Sequence, residues 1–337
     1  MKVVLAGCGN MSQTWLKAAN SLGLEMVGFV DLFEESARNR AEGSGWPQAR
    51  TGTDLQKMLR ETAPDLVFDC TVPEAHTGVT LTALRSGCHV LGEKPMADSL
   101  ENARRMVEAA RQAGKIYAVI QNRRYDPNVR RLKEFINSGR LGPLTTLNSD
   151  FYLGAHFEGF RLKMAHVLLV DMAIHTFDIA RFISGADPVS VYCKEWNPAG
   201  SWYEQAASAV AIFEMSNGMV YTYRGSWCAE GLNTPWEGEW RVIGCEGSLK
   251  WDGNTGFSAE VVAETGGLRA KMQPLEVPPV DVPDKAAGHA SIIREMVECI
   301  RTGKTPETIC TDNIKSLAMV LAAVESAGQG RPVEVKW

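Results

Sequence analysis

The run Lys2-Val3-Val4-Leu5-Ala6 passes directly into Gly7-Cys8-Gly9-Asn10-Met11-Ser12, and this junction constrains the fold more than any other stretch. A helical pattern follows from Gln13 to Leu22. A second apolar run, Met26-Val27-Gly28-Phe29-Val30, then ends in Asp31. Strand, glycine turn, helix, strand and acid are the parts a dinucleotide needs, in the order it needs them. Gly7 and Gly9 let the backbone turn sharply and approach a pyrophosphate. Asn10 and Met11 lead into a helix start whose free N–H groups and positive dipole end favour an anion. Ser12 replaces the third glycine and is small enough for close helix–strand packing. Asp31 is placed to accept hydrogen bonds from the adenosine ribose hydroxyls. The competing reading, a structural turn with a capping acid, does not explain why the acid falls at the end of the next strand.

A carboxylate at Asp31 repels the 2′-phosphate of NADP, and no cation follows immediately in Leu32-Phe33-Glu34. The expected cofactor is therefore NAD, with NADP disfavoured; Arg38 is the nearby cation that tells against a stricter choice. The 337 residues suffice for two domains with separate cores. A net charge of -5 argues against nucleic acid, which needs a basic footprint. No apolar stretch of about 18 residues is present to span a membrane. The first strand begins at Lys2, leaving no room for a signal peptide, so a cytoplasmic protein is expected. The eight cysteines form no CxxC pair and read as reduced thiols rather than disulfides or a zinc site.

After Asp31, a helix is expected over 34–42, with a break at Gly43-Ser44-Gly45-Trp46-Pro47. Thr53 is the expected cap of a short helix to Arg60. Leu66 to Cys70 reads as a strand ending in the turn Thr71-Val72-Pro73. A helix from His76 to Arg85 stops at Gly87. His89 to Glu93 is a strand running into Lys94-Pro95. Asp98 with Glu101 reads as a capping box for a helix to Ala113. Lys115 to Ile120 is a further strand. This alternation predicts a doubly wound parallel sheet of the Rossmann type over residues 1–121. Ligands of such sheets sit at the carboxyl ends of the strands, where Asp31, Thr71-Val72-Pro73, Glu93-Lys94 and Gln121 fall.

Over 122–337 the pattern changes to α+β with a large, mainly antiparallel open sheet. Helices are predicted over 127–137, 165–182, 289–301 and 313–327. Strands are predicted over 144–153, repeatedly from Val189 to Met272, and over 331–337. The clearest hairpin joins 207–215 to 219–227 through Ser216-Asn217-Gly218. Gly253 to Pro283 is the least readable stretch.

Two places carry chemistry. Lys94, at a strand end before Pro95, can hold an alcohol oxygen or accept its proton if desolvated; a surface lysine paired with Glu93 is the plain alternative. The helix over 165–182 sets Asp171 and His175 four residues apart on one face, with Asp178 continuing the stripe among apolar neighbours. Buried polar groups need partners, and a histidine beside a carboxylate is an acid–base group near neutral pH. Read alone, this helix also fits a satisfied core histidine. A metal site is not expected, because no third ligand stands at useful spacing.

These residues resemble the Gfo/Idh/MocA oxidoreductases, which include glucose–fructose oxidoreductase and inositol dehydrogenase. The marks are the Gly7–Met11 turn, Thr71-Val72-Pro73 with His76, Glu93-Lys94-Pro95, Asn122-Arg123-Arg124-Tyr125, Gly139-Arg140-Leu141-Gly142, Phe160-Arg161, and Asp171, His175 and Asp178. The resemblance covers nearly the whole chain and implies a Rossmann domain plus an open-sheet domain that packs into homodimers or homotetramers. It implies that Lys94 contacts the reacting hydroxyl, Asp171 positions the substrate, and His175 takes the proton as hydride passes to NAD. It adds His76, Glu93 and Lys94 to the cofactor-binding set. Tyr125, Tyr152, His156 and Arg161 are candidate substrate contacts, being at element ends. The implied substrates are sugars, cyclitols or their derivatives. Some relatives are instead NAD-dependent glycosidases that oxidise C3 transiently, and a silent dinucleotide-binding sensor is a third alternative. The family often carries small glycines where this chain has Met164-Ala165-His166, so His166 is expected to intrude on the substrate pocket or touch the substrate.

Overall fold

The computed structural model describes residues 1–280 and 288–337, which fall into two compact units. The first begins with β1 (Lys2–Ala6), α1 (Ser12–Ser21), β2 (Glu25–Val30), α2 (Glu34–Gly43) and β3 (Arg50–Gly52). It continues with α3 (Leu55–Thr62), β4 (Leu66–Asp69), α4 (Pro73–Arg85), β5 (His89–Gly92), α5 (Leu100–Ala113) and β6 (Tyr117–Val119). All six strands are parallel, in the order β3-β2-β1-β4-β5-β6. Strand order therefore reverses at β1, whose last residue Ala6 lies between Val30 and Asp69. Val3, Val4, Leu5, Val67, Phe68, Val90 and Leu91 are fully buried, as strands covered on both faces require.

Local chemistry moves several boundaries. Asp54, not Thr53, caps α3 by accepting from the Lys57 amide at 2.9 Å. Ser99, not Asp98, caps α5 through the Asn102 amide at 3.2 Å, while Asp98 accepts from the Asn102 side chain at 2.7 Å. Pro73 opens α4 three residues before His76, because its fixed φ suits a first helical position.

The second unit holds α6 (Pro127–Asn137), β7 (Leu144–Tyr152), a π-helical segment Leu168–Ala173 continuing into α7 (Ile174–Ser184), and strands β8 (Pro188–Trp196) to β14 (Lys271–Leu275). Between these lie β9 (Ser208–Met215), β10 (Val220–Ser226), β11 (Glu239–Gly244), β12 (Gly247–Trp251) and β13 (Phe257–Glu264). After the described segment resumes come α8 (His289–Thr302), α9 (Cys310–Gln329) and β15 (Val333–Glu334). The nine strands run β14-β13-β12-β11-β7-β10-β9-β8-β15, antiparallel except for the β7–β10 pair. The predicted hairpin is present as β9–β10. Gly253–Pro283 contains β13 and β14, while its last residues, 281–283, lie outside the described residues. The final strand is shorter than expected, limited to Val333–Glu334 on β8.

The helix expected over 165–182 starts later. His166 has φ +54, a left-handed conformation, and the regular turns begin beyond it. α8 and the first turns of α9, to Leu317, group with the first unit rather than with the open sheet. α8 packs on α1 and β5. Among the described residues, no helix is long and apolar enough to cross a membrane.

α7 covers the inner face of the open sheet. Phe177 meets Phe213 and Tyr223 edge-on at centroid distances of 4.9 and 5.2 Å, and all three rings are fully buried. Truncating it leaves a cavity that rigid neighbours cannot fill. Phe177→Ala is expected to cost about 3–5 kcal/mol, read by urea unfolding of the second unit followed through its tryptophans.

Candidate active site

The glycine turn forms where β1 ends. Gly7 has φ +88, and a Cβ there would lie 2.5 Å from the carbonyl carbon and oxygen of Cys70. A side chain is therefore excluded by both conformation and space. Gly9 faces open space, with nothing within 4 Å of an added Cβ. Ser12 closes the turn from below by donating to the Gly9 carbonyl at 2.6 Å. No side chain caps α1; the Ser12, Gln13 and Thr14 amides donate to the carbonyls of Gly9, Asn10 and Met11 at 3.1–3.2 Å, which leaves the Asn10 and Met11 amides for an anion at the turn.

Asp31 braces the same turn. Its Oδ2 accepts from the Cys8 amide at 2.8 Å and its Oδ1 from the Phe33 amide at 3.1 Å. The carboxylate is thus fixed in place, and each oxygen retains a lone pair for a ribose hydroxyl. The cation at this site is Arg40, not Arg38. Arg40 donates to the carbonyls of Cys8 and Gly9, both at 3.1 Å, whereas Arg38 reaches only Glu34, at 3.7 Å on the exposed face of α2. Sequence reasoning missed Arg40; the signal available was a cation one helical turn beyond Ala37 on the buried side of α2.

At the end of β4, the buried Asp69 carboxylate accepts from the Thr71 amide at 3.1 Å and the Thr71 hydroxyl at 2.5 Å. His76, 1 % exposed, places Nδ1 3.0 Å from Asp69 and 3.3 Å from the Thr71 hydroxyl. The turn Thr71-Val72-Pro73 thus presents Val72 outward, while His76 stands behind it as a brace. Burial works against protonating His76, but the charge and hydrogen bond of Asp69 more than offset it and raise its pKa.

At the end of β5, Glu93 is held by the Trp15 indole at 2.8 Å and the Lys94 amide at 3.2 Å. His289, from the start of α8, lies 3.6 Å from the same carboxylate. Burial pushes the Glu93 carboxyl up, yet His289, Trp15 and Lys94 together hold it below its ordinary value. Nothing in the sequence pointed to His289, which sits 196 positions away from Glu93 (289 − 93). Lys94 is half-buried and Gln121 is buried at the end of the β6 segment.

In the second unit, Asp171 and His175 are both nearly buried, at 7 % and 8 % exposure. Asp171 belongs to the π-helical segment and accepts from Arg161 Nε at 2.6 Å. Arg161 comes from the short turn Gly159–Leu162 and also faces the rings of Phe157 and Phe160. Asp178 has a structural role: it is fully buried and gripped by both Nε and Nη2 of Arg124 at 2.6 Å. A bidentate buried pair of this kind fixes the 122–125 segment to α7. Tyr125 is buried, with the Arg130 guanidinium over its ring at 4.8 Å, which removes it from an open surface. Tyr152 ends β7, half-buried. His156 stacks on Trp202 at 3.8 Å and pairs with Glu230 at 2.7 Å. Of the four expected substrate contacts, Arg161 pairs with Asp171.

Residues 1–121 match the family model for the NAD-binding Rossmann fold of the Gfo/Idh/MocA oxidoreductases, and residues 129–250 match the model of the family's C-terminal domain. The chain belongs to the Gfo/Idh/MocA oxidoreductase family. It is 28% identical to D-apiose dehydrogenase of Paraburkholderia graminis over 345 residues, 99% of this chain and 90% of that one. It is 27% identical to the NAD-dependent scyllo-inositol 2-dehydrogenase of Bacillus subtilis, over 84% of this chain and 81% of that one. Its fold matches an oxidoreductase from Agrobacterium radiobacter solved with NAD+, L-tartaric acid and magnesium, with a TM-score of 0.85 and 22% identity over 99% of this chain and 98% of that one. The protein is an enzyme of the NAD-binding oxidoreductase type. Its residues fit that cofactor: the open space at Gly9, the Asn10 and Met11 amides before α1 and the fixed Asp31 carboxylate match a pyrophosphate and a ribose.

The raised pKa of His76 gives a sign to its effect on stability. Its contribution is fully present below the ordinary value of 6.5 and is lost as pH rises through the raised folded value. The difference in thermal stability between the wild type and His76→Asn is expected to be largest near pH 6 and to narrow toward pH 9, in a melting series across that range.

Proposed function

We propose that this enzyme transfers hydride between a secondary alcohol of a sugar, a cyclitol or a close derivative and NAD. NAD supplies the hydride acceptor. Lys94 holds the reacting oxygen by hydrogen bond, Asp171 positions the substrate, and His175 takes the hydroxyl proton. The observation that carries the reading is the retention of all three, with Asp171 and His175 nearly buried on one helical stretch and Asp171 oriented by Arg161. A dinucleotide-binding sensor has no use for such a set. Gly7, Gly9, Asn10, Met11, Asp31, Thr71, Val72, Pro73, Glu93 and Gln121 supply the cofactor's binding surface, with His76 bracing it from behind. NAD is favoured over NADP because both Asp31 oxygens stand at the ribose end, and Arg40 is committed to the carbonyls of the turn.

The substrate class is drawn from the relatives acting on apiose and inositol. The outer face of the open sheet exposes Tyr192, Trp196 and Ile212, each between 42% and 43%. This supports a homodimer or homotetramer formed through that sheet. All eight cysteines are free, in keeping with a cytoplasmic protein.

The test is NADH formation on a panel of sugars, cyclitols and glycosides, beside an assay for aglycone release. The reading expects net NADH on one compound class, with NAD preferred to NADP. Aglycone release without net NADH would place the chain with the glycosidases instead. Lys94→Ala is expected to keep NADH binding and to lose at least about a hundredfold in kcat. Retention of full activity would remove Lys94 from the mechanism.

A further inference from the structure

Outside the hydride-transfer set, His166 is held in the second unit by an arrangement that its place in the fold does not require. Its backbone is left-handed at φ +54, a conformation costly for a residue with a Cβ and one that persists where surroundings over-determine it. Its carbonyl accepts from the Val170 amide at 2.9 Å, so it stands at the threshold of the helix that carries Asp171 and His175. Its Nδ1 lies 2.6 Å from Oε2 of Glu195, on β8. The Glu195 side chain is 6% exposed and that of His166 is 41% exposed. The ring is thus anchored inward by Nδ1 and offers its Nε2 edge outward.

Glu195 has one further feature. Its Oε1 is buried with no hydrogen-bond partner among the described residues, so His166 is the group that answers this carboxylate. The hydrogen bond that His166 donates to Glu195, opposed by burial and aided by the carboxylate's charge, raises the pKa of His166. In the charged ring both nitrogens donate and neither accepts. Arg161, five positions earlier, has the same character. Its Nε is spent on Asp171, its side chain is 29% exposed, and its two terminal nitrogens have no partner among the described residues. Each end of the 161–166 segment thus carries a basic group oriented by its own carboxylate, an arrangement that matches an anionic ligand.

We propose that the substrate carries a carboxylate, and that His166, oriented by Glu195, binds it and selects acidic sugars or cyclitols over neutral ones. Arg161 Nη supplies a second donor to the same group. The proposal rests on the oxidoreductase reading above for the word substrate, but the binding site itself does not. A purely structural tie between His166 and Glu195 would need neither an exposed ring edge nor a strained backbone.

The test measures dissociation constants by calorimetry in the presence of NADH, for matched pairs: D-glucose and D-glucuronate, D-galactose and D-galacturonate, myo-inositol and quinate. At least one carboxylate is expected to bind about tenfold or more tightly than its neutral partner, as a charge-assisted hydrogen bond provides. His166→Ala is expected to abolish that preference and leave the neutral partner's affinity unchanged. Glu195→Gln keeps the hydrogen bond to the ring but removes the charge, and is expected to reduce the preference with the fold intact. No preference in any pair, or equal weakening of both members by His166→Ala, overturns the proposal. Turnover of the same panel separates the two readings. A carboxylate that binds through His166 but is never oxidised contradicts the assigned reaction and leaves the site standing. Neutral members oxidised while carboxylates are ignored contradict the site and leave the reaction standing.

Discussion

The contact that most constrains the first unit is the approach of two backbones at the end of β1. Because Ala6 is paired on both sides, the chain leaving it runs so close to Cys70 that a Cβ on Gly7 would lie 2.5 Å from the Cys70 carbonyl, and only glycine fits. That turn creates the open space at Gly9 and aims α1 at it. Asp31 and Arg40 then fix the turn from opposite polarities, the carboxylate taking the Cys8 amide and the guanidinium taking the carbonyls of Cys8 and Gly9. A flexible glycine loop becomes a pre-set surface for an anionic cofactor, which lowers the ordering cost of binding it.

Further from the turn, the chain buries several charges and sets a specific partner against each. Asp69 is taken by Thr71 and His76, Glu93 by Trp15 and His289, Asp178 by Arg124, and Asp171 by Arg161. Removing one partner from such a pair leaves an uncompensated buried charge, which costs far more than the pair contributes. These pairs therefore hold the ends of β4, β5 and the π-helical segment in single geometries. Lys94, Asp171 and His175, the residues proposed for catalysis, lie on or next to these braced positions, so the same contacts that fold each unit would also orient them.

Features written in contiguous residues were legible in the sequence. The glycine turn, the acid after β2, the alternation that makes the parallel sheet, the β9–β10 hairpin and the Asp171–His175 pair all follow from local pattern. Features made by distant chain segments were not. His289 reaches Glu93 because α8 returns to pack on α1, and no local pattern encodes that return. Arg40 looked like any helix-surface cation until α2 folded against the turn. Asp178 looked like part of the polar stripe, but Arg124 claims it for structure. The apolar run Val167–Val170 before Asp171 could not distinguish an α-helix from a π-helical segment, so the start of the helix was placed too early, across His166. The parallel β7–β10 pair was equally hidden, since alternation sets a strand's faces and not its direction.

The account turns on direct hydride transfer to the nicotinamide. It is tested most directly by turning over, in ordinary water, a substrate carrying deuterium at the reacting carbinol carbon and weighing the NADH produced. The account predicts NADH carrying the deuterium, with none lost to solvent. NADH free of the deuterium would contradict it, and deuterium returned to the carbinol carbon of a cleaved product with no net NADH would assign the chain a transient oxidation instead.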